Sequence, residues 1–317
     1  MKPIFCFGDI CPDIIIPYGA ARYPSPDKAL NPADLEVTAM CGGSVANTAV
    51  GIARQGFSVY FCGTAGCDGF GRMLKADLER EGVDTRYMEL SASTSTVLVL
   101  IVLDENGERT TFAYPKAKAS QHQITAAQIP KEIEKHISWF HSTGMTLREN
   151  PAAELQLELM KRCFSAGIPT SFDVNTRVEA LGDPLFFENL KKALPYCNYL
   201  LGSADGELAA ISGIDDPDRA ARQLSSCGRV VVARHGEKGA TAYKDGEVFT
   251  APSFKVEVLD TVGAGDAYNA GFICAILSGL SIEDANRWAV ATGAYSVTRR
   301  GGHGAPTRAQ LQEFLNG

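Results

Sequence analysis

The stretch "DTVGAGDAYNAGF", Asp260 to Phe272, sets Val262, Gly263, Ala264 and Gly265, residues without bulk or charge, directly before Asp266. Behind it Phe272, Ile273, Ile276, Leu277 and Leu280 recur at helical spacing and read as a buried amphipathic helix. The glycine-rich turn therefore opens a helix. Orphan N–H groups and the positive end of the helix dipole attract an anion there, and glycine lets a phosphate approach the backbone closely. Asp266 has two readings in this position. It is a first-turn carboxylate that complements the dipole, or it is a base acting on whatever attacks the bound anion.

Outward from this turn, short apolar runs alternate with helical patterns: "IFCFG" (4–8), "SVYFCG" (58–63), "ISWFHSTG" (137–144), "PTSFDVN" (169–175), "NYLLG" (198–202) and "RVVVARHG" (229–236). Such alternation predicts an α/β fold, a mainly parallel central sheet with helices on both faces. Ligands of such sheets bind where the strands end, so the glycines and polar residues after these runs are candidate site residues as a group. One segment breaks the rhythm. "STSTVLVLIVLDENGERTTFAYP" (93–115) sets two β-rich runs around Asn106-Gly107, a hairpin signal that does not belong inside a βαβ alternation. The hairpin is expected to project from the sheet as a small β lid spanning about 88–118, with the Pro-rich stretch from about 15 to 40 supplying further lid strands. No internal repeat or separable linker divides the chain, so residues 1–317 are expected to form one domain.

With 317 residues, 45% hydrophobic and 21% charged, the chain can bury a large core. A net charge of −7 without any Lys/Arg-rich block gives no electrostatic footprint for nucleic acid. The start "MKPIFCFGDI" turns polar too soon for a signal peptide, and no apolar stretch approaches membrane-spanning length, so a cytoplasmic protein is expected. The nine cysteines form no C-x-x-C pair and sit mostly in apolar contexts, the pattern of small buried hydrophobes in a reducing compartment. The Walker pattern G-x-x-x-x-G-K-[ST] is absent. Gly263 and Gly265 do not extend to G-x-G-x-x-G, because Tyr268 holds the third place.

"DTVGAGDAYNAGF" resembles the C-terminal signature of the PfkB, or ribokinase-like, family of carbohydrate kinases. "CGGSVANTAVGIARQGFSVYFCGTAG" (41–66) is similar to the N-terminal signature, with Val45 standing where a smaller residue is usual. "GDICPD", "FDVNTR", "RHGEKGA" and "VTRRGGHGAPT" resemble further family motifs, in family order. The resemblance implies a ribokinase-like three-layer αβα sandwich with a β lid and a nucleotide-binding half over about 195–317. It also implies ATP-dependent transfer of the γ-phosphate to a hydroxyl of a ribose-, fructose- or keto-sugar-type substrate. A nucleoside kinase and a catalytically weak sugar-binding protein are the alternatives.

By the same resemblance, Gly263, Ala264 and Gly265 form the anion hole and Asp266 is the catalytic base. Asp13, Gly42, Gly43, Asn47, Asn175 and Asp266 would bind substrate. Gly236, Gly239, Gly263, Gly265 and Glu207 would lie by the nucleotide. Asp260, Val262, Arg300 and Gly302 would hold a monovalent cation such as K⁺. Glu207 would order Mg²⁺ indirectly, although its usual partner Asn is replaced by Ala204, with Asp205 nearby. From the residues alone, Gly42 and Gly43 also fit an ordinary turn, Asn47 a helix cap, Asp173, Asn175 and Arg177 a structural cluster, and Arg109 a solvated lid charge. A homodimer through the lids is the implied assembly.

Overall fold

The computed structural model describes residues 1–17, 37–103, 109–115, 119–175 and 182–317. Nine strands form one sheet in the order β13-β12-β11-β10-β9-β8-β1-β4-β5. These are β1 (Ile4–Phe7), β4 (Val59–Gly66), β5 (Asp84–Ser91), β8 (Trp139–Thr143), β9 (Thr170–Asp173), β10 (Tyr199–Ser203), β11 (Val230–Arg234), β12 (Ala240–Lys244) and β13 (Glu247–Ala251). From β5 to β11 every pairing is parallel, and β12 and β13 close one edge as an antiparallel pair. Parallel strands buried on both faces read as near-continuous apolar runs, as β1, β10 and β11 do, while β8 and β9 bury polar residues such as His141, Ser142, Thr170 and Ser171 as well.

Alternation along the strands feeds a separate core on each face. Phe5, Phe7, Phe140, Phe172, Leu200 and Val231 pack with the helices Ala152–Ser165 and Pro184–Ala193. Ile4, Cys6, Phe61 and Trp139 pack on the other side with the helices Ser44–Arg54 and Gly69–Arg80. Leu201, Val232 and Ala242 extend that side against Tyr268 and Phe272 of the helix Ala264–Leu277 and against the helix Ile282–Ser296. The result is three layers, αβα. The Ala264–Leu277 helix departs from the amphipathic reading: every residue from Asp266 to Ala275 is buried, and Leu280 lies beyond its end, 37% exposed. It runs between neighbouring helices and so must be apolar or internally bonded all round.

A second, four-stranded sheet stands apart in the order β3-β2-β6-β7, from β2 (Cys11–Pro17), β3 (Thr38–Gly42), β6 (Leu98–Leu103) and β7 (Arg109–Tyr114). The β6–β7 pair is antiparallel, as the hairpin signal predicts, while Asn106 and Gly107 of its turn lie outside the described residues. So do residues 18–36 of the expected lid strands and Arg177; of Arg109 and Asp205 only the backbone is described. Among the cysteines, Cys6, Cys11, Cys62, Cys163, Cys197 and Cys274 are buried, while Cys67 and Cys227 are exposed. No helix among the described residues is long and apolar enough to cross a membrane.

Candidate active site

The chain leaves β1 at Phe7, breaks at Gly8–Ile10 and enters the lid as β2. Asp13 therefore lies inside a lid strand, paired with Met40 and Val99, and not at the end of the first sheet strand. The carboxylate at that strand end belongs to Asp9, which sequence reasoning passed over. Asp9 is 4% exposed and accepts from the backbone N–H groups of Ser44 at 2.8 Å and Val45 at 3.3 Å. It thereby satisfies the orphan donors of the Ser44–Arg54 helix, whose N-cap, Gly43, has no side chain to do so. Gly43 adopts φ 102°, and a Cβ there would fall 2.6 Å from the Ile10 Cα. A Cβ on Gly42 would fall 2.7 Å from an Asp13 carboxylate oxygen. Both glycines thus hold the turn that sets Asp13 beside the helix start. Val45 is accommodated because its neighbour is Gly8: a Cβ at Gly8 would lie 2.4 Å from the Val45 Cγ2.

Asn47 lies past the first helical position, so the cap reading fails. Its Nδ2 donates to Asp266 Oδ2 at 2.8 Å across 219 residues of sequence. Its Oδ1 is buried with no partner among the described residues, an acceptor left open at the carboxylate. Gly302 packs on the same side chain, 2.5 Å from where its Cβ would stand. Burial pushes the Asp266 carboxyl up to about 8; the Asn47 bond works against this, Asp173 and Asp9 add to it, and Arg234 opposes it. Burial likewise pushes Asp13 up to about 6, with the charges of Asp9 and Asp260 adding and His303 opposing.

Gly263 is the N-cap of the Ala264–Leu277 helix, in the left-handed region at φ 75°. The Ala264 N–H turns back to the Thr261 carbonyl at 3.3 Å and Ala267 donates to Gly263 at 2.8 Å. The Gly265 and Asp266 N–H groups have no backbone acceptor among the described residues and are the donors free to meet an anion. Asp260 ties this turn to the closing loop, accepting from Val262 N at 3.1 Å and Gly301 N at 3.0 Å. The Gly302 carbonyl stands 2.7 Å from a would-be Cβ of Gly263, so Asp260, Val262 and Gly302 are brought together, with Arg300 exposed on the same loop.

Asn175, at φ 31°, donates to the Ser44 hydroxyl and so reaches the start of the Ser44–Arg54 helix. Asp173 turns the other way. It is 1% exposed and accepts from Arg234 at 2.7 and 2.8 Å and from Asn269 at 2.5 Å. Gly236 (φ 58°) and Gly239 (φ 98°) shape the β11–β12 turn, where a Cβ on Gly239 would fall 2.1 Å from the Ala251 carbonyl. Glu207 is buried in the turn Ala204–Leu208 and accepts from the Ser203 N–H at 2.7 Å. Ala204 beside it is fully buried. A buried carboxylate with a fixed backbone bond fits an ion that keeps its own water shell, as Mg²⁺ does. The helix start with two free N–H groups fits a phosphate.

Comparison with known proteins accords with this geometry. The sequence profile described as pfkB family carbohydrate kinase matches residues 1–308. A fructokinase of Klebsiella pneumoniae is 32% identical over 74% of this chain and 76% of its own. An ATP-dependent ribose-1-phosphate kinase of Halopiger xanaduensis is 30% identical over 87% and 86%. Among solved structures, a fructokinase with bound ATP from Xylella fastidiosa superposes with a TM-score of 0.84 at 25% identity, covering 99% of this chain and 98% of that one. Aminoimidazole riboside kinase from Salmonella enterica, complexed with its riboside and an ATP analogue, gives 0.81 at 26%, covering 99% and 100%. The chain belongs to the pfkB family of carbohydrate kinases.

Proposed function

We propose that this ATP-dependent sugar kinase phosphorylates a neutral sugar of the fructose or ribose type, with Asp266 as the base. The observation that carries the reading is the Asn47–Asp266 hydrogen bond, which joins the substrate-side helix to the anion-binding turn. Asp266 accepts the proton of the attacking hydroxyl, the hydroxyl oxygen bonds to the γ-phosphorus, and the bond to the departing ADP oxygen breaks. The N–H groups of Gly265 and Asp266 donate to the phosphoryl oxygens as negative charge develops there. Asp13 and the open Asn47 Oδ1 hold hydroxyls, and Gly42 and Gly43 keep the backbone low beside them. When bound, Mg²⁺ neutralises the phosphate charge; Glu207 would hold its waters, with Gly236 and Gly239 on the nucleotide side.

The charge of Asp9 raises the proton affinity of both Asp13 and Asp266, and an additional anionic group on the substrate would add to that repulsion. A neutral polyol is therefore favoured over a phosphosugar or sugar acid. ADP release measured with fructose, ribose, a phosphosugar, a sugar acid and a nucleoside as acceptors tests this. A neutral sugar should give the highest kcat/KM, and preference for either acid would overturn the substrate class. Residues 1–317 act as one domain, cytoplasmic and dimeric through the lid, with K⁺ at the Asp260, Val262, Arg300 and Gly302 loops.

A further inference from the structure

Arg234, at the end of β11, reads in sequence as an unremarked charge after an apolar strand. In the fold its side chain is 16% exposed and touches three separate parts of the site. Nη1 and Nη2 grip the Asp173 carboxylate as a fork. Nη1 also donates to the Gly265 carbonyl at 3.2 Å and to Asn269 Oδ1 at 3.0 Å. Nη2 stands 4.0 Å from Glu207 Oε2. Asn269 closes the cluster by donating to Asp173 at 2.5 Å. A Cβ on Gly265 would fall 3.0 Å from Nη1, so this glycine makes room for the guanidinium behind it as well as for an anion in front.

The Gly265 carbonyl and the Asp266 N–H belong to one peptide group. A charged donor on the oxygen draws electron density through the amide and strengthens the N–H as a donor. It also fixes the peptide plane, and a preorganised donor stabilises developing charge without reorganising during the reaction. We propose that Arg234 is a positioning residue for phosphoryl transfer: anchored on Asp173, it aims and polarises the Gly265–Asp266 peptide toward the transferring phosphoryl group. The proposal rests on the anion-hole reading given above. Lysine cannot replace the fork, because a single ammonium cannot hold both Asp173 oxygens and the Gly265 carbonyl in one plane.

The test uses Arg234→Lys and Arg234→Gln in the full-length protein. Thermal shifts are measured with ADP and Mg²⁺ alone, then with aluminium fluoride and sugar added to mimic the phosphoryl group in flight. Both variants should keep the shift given by ADP, lose the added shift given by aluminium fluoride, and lose roughly 10²–10³-fold in kcat with sugar KM nearly unchanged. An intact aluminium fluoride shift in a variant would overturn the role of Arg234 alone. So would losses of ADP binding, sugar binding and kcat in equal proportion, or failure of both variants to fold, since each marks a merely structural residue. If the wild type itself shows no added shift, the anion-hole reading fails and this proposal with it.

Discussion

At the scale of single residues, the buried carboxylates make the pH dependence of the enzyme specific. Asp266 must be ionised to accept a proton, and its carboxyl is pushed up to about 8, first by burial. In the free enzyme kcat/KM should therefore rise with pH until about 8 and level off. The same shift acts on stability with opposite sign. The folded group holds its proton above the unfolded value of about 4, so its favourable contribution is complete below that pH and is lost as pH rises through about 8. Asp266→Asn should lower kcat by roughly 10²–10⁴, yet melt at a higher temperature than the wild type above about pH 8. The two melting temperatures should converge as pH falls; near-normal turnover in the variant would remove Asp266 from the mechanism. Asp13, pushed up to about 6, should make sugar KM rise as pH falls below about 6, since a protonated carboxyl accepts hydroxyl bonds weakly. Asp13→Asn should flatten that rise and raise KM by roughly 10–100-fold, the range for a hydrogen bond to a charged group. A profile unchanged by the substitution would assign the titration to another group.

At the scale of elements, the closing loop and the anion-hole turn form one unit through Asp260, whose oxygens accept from Val262 and Gly301. A monovalent cation held by oxygen atoms there would fix the turn from which the Gly265 and Asp266 N–H groups project. Activity should accordingly rise with K⁺ at constant ionic strength, and equal rates in K⁺, Na⁺ and a bulky organic cation would show that no such site operates. The elements differ in how far sequence reveals them. Strands such as β1, β10 and β11 are legible because burial on both faces favours near-continuous apolar runs, and the Gly263–Gly265 turn is legible because only small residues permit it. The break between β1 and β2 is not, since Ile10 keeps "GDICPD" apolar across the point where the chain changes sheets. The role of Asp9 is hidden in the sequence for that reason. Arg234 is illegible for another: its partners Gly265, Asn269 and Asp173 stand 31, 35 and 61 residues away, and no local pattern announces them. The Asn47–Asp266 bond has the same character, and only the family resemblance drew its two residues together.

At the scale of the molecule, the two faces of the lid sheet differ in exposure. Val99 and Ile101 share one face, with Val99 packed on Cys11, Val97 and Ala119 and Ile101 8% exposed, so this face turns inward. By alternation Ile14, Ile16, Leu98, Leu100, Val102, Phe112 and Tyr114 share the other, in register across β2, β6 and β7. Phe112 and Tyr114 are 53% and 65% exposed there. Such a contiguous apolar face calls for cover, and a second copy presenting the same face would supply it under two-fold symmetry. The faces therefore separate two consequences of charging the lid. Leu100→Asp with Phe112→Asp should convert a sedimenting dimer to a monomer. Val99→Asp with Ile101→Asp should instead weaken sugar binding, since a lid closing with this face inward would shield the sugar from water that competes for the phosphate. ADP affinity should be spared by both pairs, since neither touches the Gly263–Asp266 turn. A wild type that sediments as a strict monomer at high concentration would rule out the dimer. Unchanged sugar KM after charging Val99 and Ile101 would rule out closure of the lid over the sugar.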